Sequence, residues 1–350
     1  MRRLPIYMML DVSESMAGDN LRQLQQGLDQ LVSSLRTDPH ALETVFLSTI
    51  VFAGKARTLS PLTELAAYYP PRLPVGSGTS LGAALTHLMD EIERSVVKTT
   101  SEQKGDWRPV VYLMTDGKPT DDIEPALKRW NADFSKRVTL VAIGVGKYAA
   151  LETLTRLTEN VILLDAANDE DFKRFVDWVS KSVVAQSRSV AMAPVAGVNL
   201  AKLDESILKR INEMETAINV DEDLVVLTGK CTNNKLPYLM KYEKMAPLVN
   251  RPGIQLNVAV YNLSGVYALE GDYYALSDER AMIRTVHTDS LIGSPGCPHC
   301  GNPIGFAMCN CGQVMCIRGE GPATCPTCAK ECNFVSGGDD DGFDVARSRG

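Results

Sequence analysis

With 350 residues, 45% of them hydrophobic, and a formal net charge of -7, the chain is long enough for two domains with cores of their own and has the make-up of a globular protein. The acidic balance excludes a general grip on nucleic acid, which needs a basic face. No apolar run reaches the ~18 residues that a membrane-spanning helix requires. The N-terminus runs into a core-strand pattern rather than a leader with a cleavage site, so a cytoplasmic location is expected.

In chain order, continuous apolar runs predict buried strands at 4–10, 45–52, 110–114, 138–145 and 161–164. Between them, residues spaced near 3.6 predict helices: Leu21, Leu24, Leu28, Leu31 and Leu35 form one stripe, Leu81, Leu85, Leu88 and Ile92 a second, and Phe172, Phe175, Val176, Val179 and Val183 a third. Buried strands joined by helices imply an α/β fold, a doubly wound, mostly parallel sheet over residues 1–186. Such sheets bind ligands at the carboxyl ends of their strands. Three polar segments fall at or beside those ends: Asp11-Val12-Ser13-Glu14-Ser15, Gly76-Ser77-Gly78-Thr79-Ser80, and Thr115-Asp116-Gly117. An Asp with hydroxyls at alternate positions, on a loop leaving a strand, can turn several oxygens into one space, as a hard divalent cation requires. Taken singly, each segment also reads as a helix cap or a turn.

Together, the DxSxS segment, a Thr after glycines and a Thr-Asp-Gly after a buried strand resemble the metal-ion-dependent adhesion site of von Willebrand factor A domains. The resemblance implies one Mg²⁺ held by Asp11, Ser13, Ser15, Thr79 and Asp116, with direct contacts from Ser13, Ser15 and Thr79 and water-mediated ones from Asp11 and Asp116. It also implies a side chain of a partner, Asp or Glu, completing the coordination.

Residues 187–222 read as a linker with a possible helix over 203–218. Residues 223–293 alternate or run apolar in short segments, at 223–228, 236–242, 254–261 and 265–276, and predict a small, largely antiparallel β module. The tail, 336–350, carries Asp339, Asp340, Asp341 and Asp344 and reads as disordered.

Eight of the nine cysteines crowd into 297–332, which in a reducing compartment means metal rather than disulfides. Cys297-Pro-His-Cys300 and Cys325-Pro-Thr-Cys328 are matched knuckles, and two such pairs can close a tetrahedral, all-thiolate site of the structural kind, a zinc ribbon over 294–335. The expectation is therefore one zinc on Cys297, Cys300, Cys325 and Cys328, and a second on Cys309, Cys311, Cys316 and Cys332, although spacing alone leaves the pairing open. The competing readings are buried packing for the second group and an iron–sulfur cluster. Cys231 stands apart and reads as core, and His299 as a surface residue.

A type A domain, a short β module and this cysteine ribbon together resemble the TerY-like proteins of tellurite-resistance and chemical-stress gene clusters. That resemblance implies a binding or scaffolding component associated with a protein Ser/Thr kinase and a metal-dependent protein phosphatase. An enzyme is the rival reading, but a phosphoaspartyl hydrolase carries a second Asp two residues after the first, where this chain has Ser13, and no His stands in the three loops. Phosphate-binding-loop and kinase motifs are absent as well. Nucleic-acid binding through the ribbon is the other alternative; its hairpin offers Arg318 and Phe306 with Glu320 beside them, a weak electrostatic footprint.

Overall fold

The computed structural model describes residues 2–116, 118–145, 151–164, 169–192, 208–210, 224–245, 259–277, 285–334 and 342–347. The chain divides into two units, one of Met1–Leu73 with Thr79–Ile218 and one of Pro74–Gly78 with Asn219–Gly350.

The first unit is built on β1 (Leu4–Asp11), β2 (Val45–Phe52), β3 (Ala56–Glu64), β4 (Val110–Thr115), β5 (Thr139–Val145), β6 (Val161–Leu164) and β7 (Leu208–Arg210). Among the described residues these form one sheet in the order β3-β2-β1-β4-β5-β6-β7. The central strands run parallel, and β3 and β7 close the edges antiparallel. The helices are α1 (Asp19–Leu35), α2 (Pro39–Thr44), α3 (Leu81–Ser95), α4 (Glu124–Arg129), α5 (Leu151–Thr155) and α6 (Asp169–Met192).

Every residue of β1 is buried, and because successive side chains point to opposite faces, the strand feeds two cores. Tyr7 and Met9 join Leu85, Leu88 and Met89 of α3 and Leu127 of α4. Met8 and Leu10, with Met114, meet Leu24, Leu28 and Leu31 of α1 and Phe175, Val176 and Val179 of α6. Two covered faces are why the central strands are uninterruptedly apolar. The edge strand β3 did not stand out in the sequence. It is half-buried, polar and interrupted by Pro61, all of which an edge tolerates and a central strand does not.

Two expectations need correction here. The helical pattern was expected to dissolve at Ser187, yet α6 continues to Met192. Its serines are accommodated by bonding back into the helix: Ser180 Oγ donates to the Val176 carbonyl and Ser187 Oγ to the Val184 carbonyl, both at 2.9 Å. Within 203–218, where a helix was expected, the described residues Leu208–Arg210 are strand β7, paired to β6. An otherwise open sheet edge supplies the hydrogen-bonding incentive that helical periodicity could not reveal.

The second unit contains β8 (Leu224–Lys230), β9 (Pro237–Lys244), β10 (Tyr261–Ala268), α7 (Tyr273–Leu276), β11 (Thr285–His287), β12 (Leu291–Ile292), β13 (Ile304–Met308), β14 (Val314–Ile317), β15 (Gly321–Thr324), β16 (Glu331–Phe334) and β17 (Asp344–Ala346). Its main sheet has the order β12-β10-β9-β8-β14-β13. The ribbon hairpin β13–β14 is thus part of the same sheet as the β module, through the parallel pairing of β14 with β8 at Met315 and Lys230. The expected strand at 254–261 lies mostly outside the described residues. The run 265–276, expected as a strand, ends its strand at Ala268 and turns into α7.

The tail expectation also changes. Asp344–Ala346 pairs with β11, Val345 is buried, and Phe343 stacks on Phe306 with ring centroids 5.9 Å apart. Two apolar residues, Phe343 and Val345 on either side of Asp344, are enough to seat this short strand. Among the described residues, no helix is long and apolar enough to cross a membrane.

Candidate metal centres

In the first sheet β1 has β2 on one side and β4 on the other, so the chain reverses its winding direction between β1 and β4. That topological switch leaves a crevice at the strand carboxyl ends. Leu10 is level with Met114 in the parallel register, which brings Asp11 and Thr115 side by side at the mouth of the crevice.

A string of hydrogen bonds follows. Thr115 Oγ1 donates to Asp11 Oδ2 at 2.5 Å, and the Ser13 amide donates to Asp11 Oδ1 at 2.9 Å. The Ser13 and Ser15 hydroxyls lie 2.9 Å apart, and Ser15 Oγ donates to Asp116 Oδ1 at 2.9 Å. Four of the five expected ligands are therefore joined in one cluster. Thr79 is tied to the loop that carries Asp116: its amide donates to Thr120 Oγ1 at 3.0 Å, and its carbonyl accepts from the Thr120 amide at 2.8 Å. The same loop caps α3, since Asp121 accepts from the amides of Gly82 and Ala83.

Asp11, Ser13 and Thr79 are buried, whereas Ser15 and Asp116 are half-buried and form the mouth. Burial first, and then the Asp116 charge, push the Asp11 carboxyl up to about 7 against the hydrogen bonds from Thr115 and Ser13. Two carboxylates and three hydroxyls, all oxygen and with like charges facing each other, are a donor set that fits a hard divalent cation. Sequence reading passed over Thr115 and Thr120. Thr115 was in view as the residue before Asp116, but its role depends on β1 being the neighbour of β4. Losing such an orienting hydroxyl typically costs ten- to a hundredfold in metal affinity. Thr115→Val is expected to weaken binding of a divalent cation at this cluster roughly tenfold by calorimetry; unchanged affinity would show that Asp11 needs no orienting partner.

The cysteines gather differently from expectation. Cys297 and Cys300 share a cluster with Cys231 and Cys316, and Cys325 and Cys328 share one with Cys309 and Cys311; within each set all four sulfurs lie within 4.8 Å of one another. The two knuckles thus belong to separate centres, Cys231 joins the first, and Cys332 falls outside both. Four thiolates ~2.3 Å from a tetrahedral zinc stand ~3.8 Å apart. The sulfur pairs Cys300–Cys316 at 3.6 Å, Cys309–Cys328 at 3.7 Å and Cys311–Cys325 at 3.7 Å match that spacing, so both donor sets fit structural zinc.

Backbone turns explain the grouping. In each of the segments starting at Cys297, Cys325 and Cys231, the Cys amide donates to the carbonyl five residues on, at 2.8, 2.9 and 2.9 Å respectively. The amide four residues on returns a bond to the Cys carbonyl, at 3.0 Å in all three. Each turn ends in a left-handed residue, at Gly301 (φ 73), Ala329 (φ 59) and Lys235 (φ 63). Cys231-Thr232-Asn233-Asn234 is therefore a third knuckle that carries only one thiol. Its sequence signal was the polar Thr-Asn-Asn run directly after the Cys, between two apolar strands.

Burial raises the Cys316 thiol, but hydrogen bonds led by those from Thr232 outweigh it and bring the group down to about 7. Burial likewise opposes, and amide donors from Cys328 and Thr327 overcome, in bringing Cys325 to about 7. His299 is no ligand among these sets; its Nε2 meets the Pro237 carbonyl at 2.7 Å.

The sheet order defines a mostly parallel α/β domain, and the chain belongs to the von Willebrand factor type A family, whose model matches residues 6–181. Residues 221–350 match a second model, the TerY-C metal binding domain. No curated protein matches the chain. Among solved structures, it is similar to a von Willebrand factor type A protein from Catenulispora acidiphila, at 14% identity over 53% of this chain and 43% of that one (TM-score 0.40). Proximal thread matrix protein 1 from the mussel byssus, with a zinc-occupied MIDAS motif, is similar at 19% identity over 52% of this chain and 48% of that one (TM-score 0.38). The protein BatB from Bacteroides thetaiotaomicron is similar at 19% identity, covering 52% of this chain and 99% of that one (TM-score 0.37). The match to the first two spans less than half of their length.

Proposed function

We propose that the chain is a non-enzymatic, metal-dependent protein-binding scaffold, in which a strand-end Mg²⁺ captures an Asp or Glu of a partner protein and two zinc ions hold the C-terminal module. The observation that carries this reading is the hydrogen-bonded string Asp11–Ser13–Ser15–Asp116 at the switch point of the sheet. A bound cation supplies an electrophilic position open to a carboxylate. Asp11 and Asp116 would balance its charge and the hydroxyls of Ser13, Ser15 and Thr79 would help to hold it, while the half-buried Ser15 and Asp116 leave the approach open. A carboxylate bound in so desolvated a place gives a strong, charge-assisted contact. The resemblance to TerY-like proteins supports a Ser/Thr kinase and a metal-dependent phosphatase as the partners, in a cytoplasmic stress or tellurite-resistance pathway.

Position 13 carries a hydroxyl where hydrolytic chemistry on a phosphoaspartate needs an acid, which disfavours the phosphohydrolase alternative. The test is affinity of the purified chain for the purified kinase and phosphatase, in Mg²⁺ and in EDTA. Binding is expected to need Mg²⁺ and to fall at least tenfold in Asp116→Ala. Thr79→Ala is expected to weaken partner binding more than Mg²⁺ binding, read by calorimetry on each. Metal-independent binding that is unchanged in Asp116→Ala would overturn the proposal.

A further inference from the structure

Two sets of four account for eight of the nine cysteines, and the ninth, Cys332 on β16, sits against one of them. Its Sγ lies 3.3 Å from Cys309 Sγ and donates a hydrogen bond to it. Cys309 is buried, whereas Cys332 is half-buried and so within reach of a small solute. The pair is non-local, 23 residues apart, and bridges the end of β13 to the β15–β16 hairpin. A spare thiol touching a metal-ligating thiol is unnecessary for a closed four-sulfur site, which has no free position for it.

We propose that Cys332 is a peroxide-reactive thiol that releases zinc from the second centre by forming a disulfide with Cys309. This rests on that centre being a zinc site. In the first step the Cys332 sulfur displaces hydroxide from hydrogen peroxide: the O–O bond breaks, the S–O bond of a sulfenic acid forms, and the thiol proton leaves with the hydroxide as water. In the second, the Cys309 thiolate attacks the Cys332 sulfur, the S–O bond breaks, and hydroxide leaves and takes a proton to become a second water. Overall, the Cys332 thiol and the Cys309 thiolate are oxidised to a disulfide, and one peroxide, with one proton from solvent, is reduced to two waters. Cys309 is thereby lost as a ligand, and Cys311, Cys325 and Cys328 are left holding the ion with three sulfurs. The first centre has no equivalent neighbour among its four ligands, so its zinc is retained.

The experiment treats the full, zinc-loaded chain with hydrogen peroxide and follows zinc with a chromogenic chelator. Disulfides are mapped by mass spectrometry. The wild type is expected to lose one zinc of two, with a Cys309–Cys332 linked peptide. Cys332→Ser, which keeps a hydrogen-bond donor, is expected to load two zinc ions and to release the one in the second centre at least tenfold more slowly. Equal release rates in the two proteins, or release without the linked peptide, would overturn the proposal. If the untreated protein holds no zinc in the second centre, the metal reading of that centre fails; mapping the peroxide-treated apo-protein then tests the thiol pair alone, and an unlinked Cys332 overturns it.

Discussion

Cys231→Ser is expected to remove one of two zinc ions and to melt the C-terminal sheet, while the type A domain keeps its own transition. Cys231 directly follows β8, and its sulfur gathers with those of Cys297, Cys300 and Cys316. Its cluster is continuous with the core of Val225, Leu227, Tyr238 and Met240. Structural zinc contributes on the order of 10 kcal/mol to small metal-dependent folds, so a site cut to three thiolates should cost most of the module's stability. The arrangement is sharply testable. Cys297→Ser and Cys325→Ser should each cost one ion, and the double substitution both, because the two knuckles serve different centres. If they shared one ion, the double substitution would lose no more zinc than either single one, and Cys231→Ser would leave the zinc content at two. Zinc by mass spectrometry together with thermal melts decides between these outcomes.

Asp11→Asn is expected to abolish strand-end cation binding and, in the presence of EDTA, to make the protein more stable. The Asp11 carboxyl is wholly buried beside Asp116, and its titration is raised from 3.8 to about 7. A carboxyl raised on folding binds its proton more tightly in the native state. The cation-free protein therefore loses stability as pH rises from about 4 to about 7, and the loss is complete above that window. The full rise corresponds to an upper bound of about 4 kcal/mol, so Asn at position 11 should stabilise by roughly 2–4 kcal/mol at pH 8. At pH 4, where wild-type Asp11 is protonated, the difference should vanish. Added Mg²⁺ should restore the wild type by mass action and leave Asp11→Asn unchanged. A variant that is less stable than wild type in EDTA at pH 8 would sink this account of the site as a cavity strained by two carboxylates.

This burial also alters the view of the site taken from sequence. The sequence placed these residues on loops leaving strands, each segment also readable as a helix cap or a turn. In the fold Asp11 and Ser13 lie fully inside, because the hydroxyl of Thr115 and the amide of Ser13 draw the carboxylate inward. Function and stability are set against each other at one residue, as is common where a site stores unfavourable charge.

What was legible in the chain was local. Runs such as Val110–Met114, bounded by polar turns and separated by 3.6-spaced helices, announced buried parallel strands, since a strand covered on both faces must be apolar throughout. The DxSxS segment announced its chemistry because its oxygens lie within a few residues of one another. Cys297 with Cys300, and Cys325 with Cys328, announced thiolate pairs for the same reason. Sheet neighbours, by contrast, were not local. The partnership of Thr115 with Asp11, the edge strands β3 and β7, and the seating of Val345 beside β11 all follow from which strand lies next to which. The cysteine grouping is the clearest case. Knuckle sequence specifies a turn that presents two sulfurs, but a tetrahedral ion needs two more from elsewhere. The parallel pairing of β14 with β8 brings Cys316 to Cys231, 85 residues away, and no spacing along the chain encodes that meeting.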